Sequence, residues 1–360
     1  MRDYSIVVIP GDGIGPEIVE AAMSVLRAVE EREGDFSLNF QEHGAGAAYY
    51  EKHGIRISEE TLEACRSSDG ILKGPVGDPS VRTPEGTEAG ILGAALGGGL
   101  DTYANVRPIK LFPGVFAPLW DVEAGKVDYL LVKEHTEGFL ASQDKGVGGR
   151  GAMVDSMLFT RGGIERVVRF AFEVACRRDK TASSETRRVT CVDKSNVLRS
   201  YAFFREIFFE VAREYPDIQT EAIYSDACAH DLIRHPDHFD VLVTDYFIGD
   251  ILSDLGAATV GGLGMCPSGC FGEHAAYFDS VHGTAPRIAG KGAVNPLGQT
   301  LASAMLLDKI GKRSASRRVE DAIWKMLKAG DVRLDKRGRA PQGTQFVADA
   351  IVSRIMMEPK

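Results

Sequence analysis

The stretch HFDVLVTDY (238–246) and the residues after it constrain this chain more than any other part of it. Val241, Leu242 and Val243 stand together rather than alternating with polar residues, the pattern of a strand covered on both faces. After Gly249 the spacing predicts a helix, and Asp250 and Asp254 then fall four residues apart on one of its faces. Two carboxylates one turn apart repel each other unless something positive lies between them. A hard divalent cation such as Mg²⁺ or Mn²⁺, which prefers oxygen ligands, would serve. A solvated acidic helix start gives the same pattern, because the helix dipole favours aspartate there. The pair alone leaves both readings open.

At 360 residues the chain is long enough for a large core and is expected to divide into two domains. Its net charge of −9 argues against general nucleic-acid binding and against attachment to an anionic membrane surface. No apolar run approaches membrane-spanning length, and MRDYSIVVIPGDG has no signal-type apolar region followed by a cleavage site, so the cytoplasm is the expected location. The cysteines at 65, 176, 191, 228, 266 and 270 form no CxxC pair. Cys266 and Cys270 are expected to frame a Pro-Ser-Gly turn, as small buried thiols rather than a zinc site or a disulfide.

The chain opens with YSIVVI (4–9), an apolar run closed by Pro10, which predicts a buried strand. From GDGIGPE the apolar spacing lengthens to a helical period that continues to about Glu31. Gly11, Gly13 and Gly15 invite comparison with the dinucleotide fingerprint, but the third glycine comes one position early and Pro16 follows it. Pro16 and Glu17 instead suit the first turn of a helix entered directly from a strand.

IPGDGIGPE, together with DTYANVRP (101–108), VDKSNVL (192–198), YSDA (224–227), GDILSDL (249–255) and HGTAPRIAGKGAVNP (282–296), resembles the β-decarboxylating dehydrogenases in their order along the chain. That family includes isopropylmalate, isocitrate, homoisocitrate, tartrate and D-malate dehydrogenases. The resemblance spans essentially the whole sequence. It implies an α/β fold of the isopropylmalate/isocitrate dehydrogenase type rather than a Rossmann fold, with two α/β domains and the active site in the cleft between them. The implied division is residues 1–103 plus 260–360 on the cofactor side and 104–259 as the second domain, with a dimerisation arm near 134–155. Each active site of the homodimer would take residues from both subunits.

The resemblance also implies a chemistry: oxidation of a 2-hydroxy acid bearing a carboxylate on the neighbouring carbon, with hydride passing to NAD or NADP, loss of CO₂ and protonation of the enolate. Mg²⁺ or Mn²⁺ would assist both steps. By family position Asp250 and Asp254 resemble metal-site residues of one subunit, and Asp226 the carboxylate supplied by the other. Lys194 resembles the lysine that takes or relays the hydroxyl proton, and Asn196 a nicotinamide-side contact. His282, Gly283, Thr284, Ala285 and Asn295 match the adenosine-binding loop. Arg287 stands where NAD-using members commonly carry an aspartate. A guanidinium there can hold a 2′-phosphate in a fork, which favours NADP, and Arg333, Lys336, Arg337 and Arg339 lie in the segment that NADP-using members also use.

Three positions depart from the family. Arg107 of ANVRP is present, but Gly97 occupies the place of the arginine ten residues earlier. Lys133 opens KEHTEG where the family has arginine, keeping the charge and losing the fork. Leu140 replaces the tyrosine that protonates the enolate. These changes point to a substrate other than isopropylmalate or isocitrate. The alternatives are a dehydrogenase without efficient decarboxylation and a non-catalytic, regulatory-type homologue. His135 and Ser142 are candidate substitute proton sources by proximity along the chain. Residues 79–99 correspond to the loop that selects the substrate's side group, with Arg82 expected to be a solvated charge.

Overall fold

The computed structural model describes residues 2–178 and 187–357. Ten strands form one sheet: β1 (Arg2–Ile9), β2 (Phe36–Glu42), β3 (Gly70–Lys73), β4 (Ala104–Lys110), β5 (Asp128–Glu134), β8 (Arg188–Asp193), β9 (Gln219–Tyr224), β10 (Val241–Thr244), β11 (Pro267–Phe271) and β12 (Ala276–Ser280). The remaining two, β6 (Val147–Gly149) and β7 (Ala152–Val154), make a separate antiparallel hairpin. The sheet order is β2-β1-β3-β12-β11-β4-β5-β10-β8-β9. Both outer thirds are parallel, whereas β12, β11, β4 and β5 run antiparallel to one another at the centre.

The helices are α1 (Gly15–Glu33), α2 (Ala47–His53), α3 (Glu59–Ser67), α4 (Gly93–Gly99), α5 (Arg161–Arg177), α6 (Arg199–Ala212), α7 (Ser225–Arg234), α8 (Tyr246–Thr259), α9 (Leu297–Lys309), α10 (Arg313–Ala329) and α11 (Thr344–Met357). They cover the sheet on both sides, which is why β1 and β10 are apolar on both faces. Among the described residues no helix is long and apolar enough to cross a membrane. The opening strand and helix lie as their spacing predicts, with Pro16 in the first turn.

Two local expectations give way. The strand of 238–246 is shorter, Val241–Thr244, and the helix begins at Tyr246 rather than after Gly249. Asp245 decides that boundary: its buried carboxylate accepts from Phe247 N at 2.9 Å and Ile248 N at 3.3 Å, satisfying the first helical amides. The Pro-Ser-Gly segment between Cys266 and Cys270 is not a turn but strand β11, paired on both sides. Cys266 and Cys270 are nonetheless buried free thiols, whereas Cys176 is exposed.

The glycine-rich opening is organised by Asp12, which is almost wholly buried. Its carboxylate accepts from Ala47 N (2.7 Å), Ala48 N (3.0 Å) and Gly77 N (2.8 Å), tying the turn after β1 to the start of α2 and to the loop after β3. Asp12→Ala would leave these donors unpaired, at about 1–3 kcal/mol for each one that water cannot reach. The expected outcome is a fall of about 3 kcal/mol or more in unfolding free energy, measured by urea denaturation.

Candidate active site

Strands β5, β10, β8 and β9 are parallel neighbours, so their carboxyl ends share one edge of the sheet. That edge is where open α/β sheets bind ligands. It carries Lys133 at the end of β5, Asp245 after β10, Lys194 after β8 and Asp226 just past β9. Lys194 is aimed by its neighbour: buried Asp193 accepts from Ser195 N at 2.8 Å and is held by Arg205 Nε at 2.6 Å. Lys194 Nζ then meets Asp226 at 2.5 Å, and this contact holds the exposed Asp226 carboxyl below its ordinary value.

A second group forms where α8 crosses the sheet. A Cβ at Gly249 would sit 2.6 Å from Lys133 Cβ, so only glycine lets α8 approach this closely. The approach brings Asp250 within 2.6 Å of Lys133 Nζ. Arg107 reaches the same face from β4, with Nη2 3.0 Å from Asp250, Nη1 3.4 Å from Asp254 and Nη1 2.5 Å from Ser253 Oγ. Burial alone would raise Asp250, but Lys133 and Arg107 outweigh it and hold the carboxyl below its ordinary value. Asp254 is pushed up by burial and by Asp250, with Arg107 opposing.

The sheet beneath this group presents a polar row. Lys133, Asn105, Cys270 and Tyr277 are cross-strand partners in one register through β5, β4, β11 and β12. They therefore lie on one face. Asn105 Nδ2 donates to Ser268 Oγ at 2.8 Å and contacts Cys270 Sγ at 2.7 Å, while its Oδ1 accepts from Arg107 Nε at 3.1 Å. Tyr277 Oη is 2.8 Å from His135 Nε2. Lys73, at the end of β3 and nearly buried, pairs with Asp279 at 2.7 Å. Lys73, Tyr246 and Tyr277 were not singled out by the sequence reading, although Lys73 could be found there as a charge ending an apolar strand.

Gly97, Leu140 and the residues flanking them occupy this neighbourhood. A Cβ at Gly97 would lie 2.7 Å from the His135 carbonyl oxygen, so helix α4 rests directly on the β5 end and leaves no room there for a longer side chain. Leu140 sits half-buried in a short turn, Phe139–Ser142, that packs against α4 and α8. Ser142 Oγ donates to the Ser156 carbonyl. His135 Nδ1 is sealed from solvent without a partner, and burial lowers the ring's affinity for a second proton. Arg82 is exposed, with Nε bound to the Pro79 carbonyl at 3.0 Å.

The loop at 282–295 docks on the opening turn through Ile14 N and the Thr284 carbonyl at 2.9 Å. Gly283, Ala285 and Arg287 are exposed, while Thr284 and Asn295 are buried. His282 Nδ1 lies 3.0 Å from the Gly283 carbonyl, and its Nε2 is buried without a partner. Asn295 acts as a clamp: Nδ2 donates to the Gly338 carbonyl at 3.0 Å and Oδ1 accepts from Leu297 N at 3.1 Å. It thus joins this loop to the segment carrying Arg333, Lys336, Arg337 and Arg339. Asn196 is exposed beyond Lys194.

The structure therefore gathers Arg107, Lys133, Asp250 and Asp254 into one group and Lys194 with Asp226 into another. Among the described residues no hydrogen bond or ion pair joins the two, and no three His, Cys, Asp or Glu side chains come together as a metal site.

The family described as isocitrate/isopropylmalate dehydrogenase matches residues 5–351. A 3-isopropylmalate dehydrogenase from Halalkalibacterium halodurans is 40% identical over 365 residues, covering 98% of each chain. A probable tartrate dehydrogenase/decarboxylase from Agrobacterium vitis is 35% identical over 99% of this chain and 98% of its own. Among solved structures, an isocitrate dehydrogenase from Methylococcus capsulatus superposes with a TM-score of 0.86 at 36% identity, covering 98% of this chain and 99% of its own. The chain belongs to the isocitrate/isopropylmalate dehydrogenase family, that is, to the β-decarboxylating hydroxy-acid dehydrogenases. It is an oxidoreductase of the class that acts on CH–OH groups with a nicotinamide cofactor.

Lys133 gives this site a measurable pH signature. Burial, with Arg107 adding to it and Asp250 opposing, lowers its pKa from 10.5 to about 8. Between those values the unfolded chain binds a proton that the folded chain lacks, so this group's contribution to stability rises with pH. Lys133→Met abolishes the rise: between pH 8 and pH 10.5, without added metal, wild type gains about 3 kcal/mol relative to the variant in urea unfolding.

Proposed function

We propose that this enzyme oxidises, with decarboxylation, a 2-hydroxy acid carrying a 3-carboxylate, and that its substrate differs from isopropylmalate and isocitrate. The observation that carries the second part is the state of the clamp. Lys133 is turned inward onto Asp250, and position 97 has no space for a side chain, so Arg107 alone keeps the expected cationic fork. A substrate with fewer or differently placed anionic oxygens suits that pocket better. The intact set of Lys194, Asp226, Asp250 and Asp254 speaks against a non-catalytic homologue, which would have no reason to keep it. The absence of an acid at Leu140 favours one second reading, hydride transfer followed by release of the keto acid without efficient decarboxylation.

Asp250 and Asp254 of one subunit with Asp226 of another offer a hard oxygen donor set for Mg²⁺ or Mn²⁺, and their present partners are all cations that such an ion would replace. When bound, the ion supplies polarisation of the substrate's hydroxyl and keto oxygens. Lys194 takes or relays the hydroxyl proton. Arg107 anchors a substrate carboxylate. The division into residues 1–103 plus 260–360 and 104–259 is supported by the sheet order, in which strands of the first group occupy one half and strands of the second the other. A homodimer is supported by the β6–β7 hairpin, whose Val147, Met153 and Val154 are exposed apolar side chains at 61–75% accessibility. NADP is favoured over NAD because no described residue pairs with the exposed guanidinium of Arg287. A cytoplasmic location is part of the same reading.

The test is a panel of isopropylmalate, isocitrate, D-malate, tartrate and phosphonate analogues with Mn²⁺, following reduction of NAD⁺ and NADP⁺ alongside CO₂ release. Reduction with CO₂ on an acid other than the first two is expected. Efficient turnover of isopropylmalate would overturn the substrate assignment, and reduction without CO₂ would select the second reading. Arg287→Asp is expected to raise the KM for NADP⁺ by about tenfold or more, a loss of about 1.4 kcal/mol, and to leave the KM for NAD⁺ little changed.

A further inference from the structure

Tyr246 opens α8 one turn before Asp250, so its ring and the Asp250 carboxylate share a helix face. Lys133 Nζ lies 4.4 Å from the ring centroid, and the His135 ring is 5.7 Å away. The base of the side chain adjoins Gly138, which begins the turn carrying Leu140. The residue is half-buried, and no described residue hydrogen-bonds its hydroxyl. A phenol thus stands beside the cationic and carboxylate group, presented by α8 rather than by the turn at 139–142.

We propose that Tyr246 is the acid that delivers a proton to the carbon left nucleophilic when CO₂ departs. This role rests on the decarboxylating reading above. The electrons of the broken C–C bond form the enolate. The phenol O–H bond then breaks as a C–H bond forms at the former carboxylate-bearing carbon, and the phenolate regains a proton from water. The surroundings suit an acid. Burial first, and Asp250 second, push the phenol up to about 12, with Arg107 opposing, so it keeps its proton near neutrality. The Lys133 ammonium against the ring stabilises the phenolate at the moment of transfer. The other nearby donors are committed elsewhere: Ser142 Oγ to the Ser156 carbonyl, and His135 to Tyr277 through its Nε2, with its Nδ1 sealed from solvent.

The experiment isolates the carbon protonation from hydride transfer. Wild-type enzyme and Tyr246→Phe, each with Mn²⁺ and NADPH in D₂O, are given 2-oxobutyrate, 2-oxopentanoate and 2-oxoadipate, keto acids that neither isopropylmalate nor isocitrate would yield, and deuterium entering C3 is followed by NMR. Wild type is expected to place deuterium in one configuration on at least one of these acids. Tyr246→Phe is expected to do so at least about a hundredfold more slowly and without stereochemical preference. Mn²⁺ affinity by EPR, NADPH binding and the thermal midpoint should stay at wild-type values, because the lost hydroxyl has no partner in the protein. Stereospecific exchange by Tyr246→Phe at the wild-type rate would overturn the role of Tyr246 alone. No exchange by wild type on any of the acids would overturn the decarboxylating reading, and this inference with it.

Discussion

Lys133 carries a positive charge into the interior of the sheet, and the site takes its form from what that charge requires. An ammonium out of water is costly unless it is paired and its protons are accepted. Here the solution is geometric. Gly249 removes the side chain that would hold α8 away, Asp250 comes within 2.6 Å, and the ring of Tyr246 covers the other side at 4.4 Å. Arg107 shares the same carboxylate, so one half-exposed aspartate serves two cations. The arrangement is a closed network in the chain alone. A divalent ion would have to enter it by taking the carboxylates from Lys133 and Arg107, which ties the position of both cations to metal occupancy.

Much of this was legible in the sequence, because it follows from spacing. Asp250 and Asp254 share a helix face, the opening strand leads directly into a helix, and the glycine pattern is not a dinucleotide fingerprint. Part of what was lost came from one misplaced boundary. The apolar run through Val243 carried the strand reading on to Tyr246, although Asp245 is a helix-capping residue type. With the helix begun at Gly249, Tyr246 is a strand end. With it begun at Tyr246, the same residue is a full turn before Asp250 and part of the site. Gly249 likewise read only as the point after which a helix begins, when its use is the close crossing of α8 over β5. No local pattern announces that, since it depends on residues 116 positions earlier. The pairing that places Asn105, Cys270 and Tyr277 beside Lys133 is equally non-local, and Cys266 to Cys270 was misread because a Pro-Ser-Gly segment is turn-like until neighbouring strands pair with it.

Gly97, Lys133 and Leu140 lie in one connected neighbourhood. Gly97 lets α4 rest on the His135 carbonyl, Lys133 turns to Asp250, and the ring of Tyr246 from α8 covers Lys133.

The polar row across β5, β4, β11 and β12 has a consequence for folding as well as for the site. Side chains alternate between sheet faces, so a shift of one residue between β4 and β11 would turn Asn105 away from Ser268 and Cys270 and bury its amide unpaired, at about 1–3 kcal/mol. Those two strands are more than 150 residues apart in sequence and are joined by only three residue pairs, Gly269 with Val106, Cys270 with Asn105 and Phe271 with Ala104. In so short a ladder the apolar residues alone discriminate weakly between neighbouring alignments. The amide of Asn105 works as an alignment key: it accepts one register of the two halves of the sheet and penalises the next.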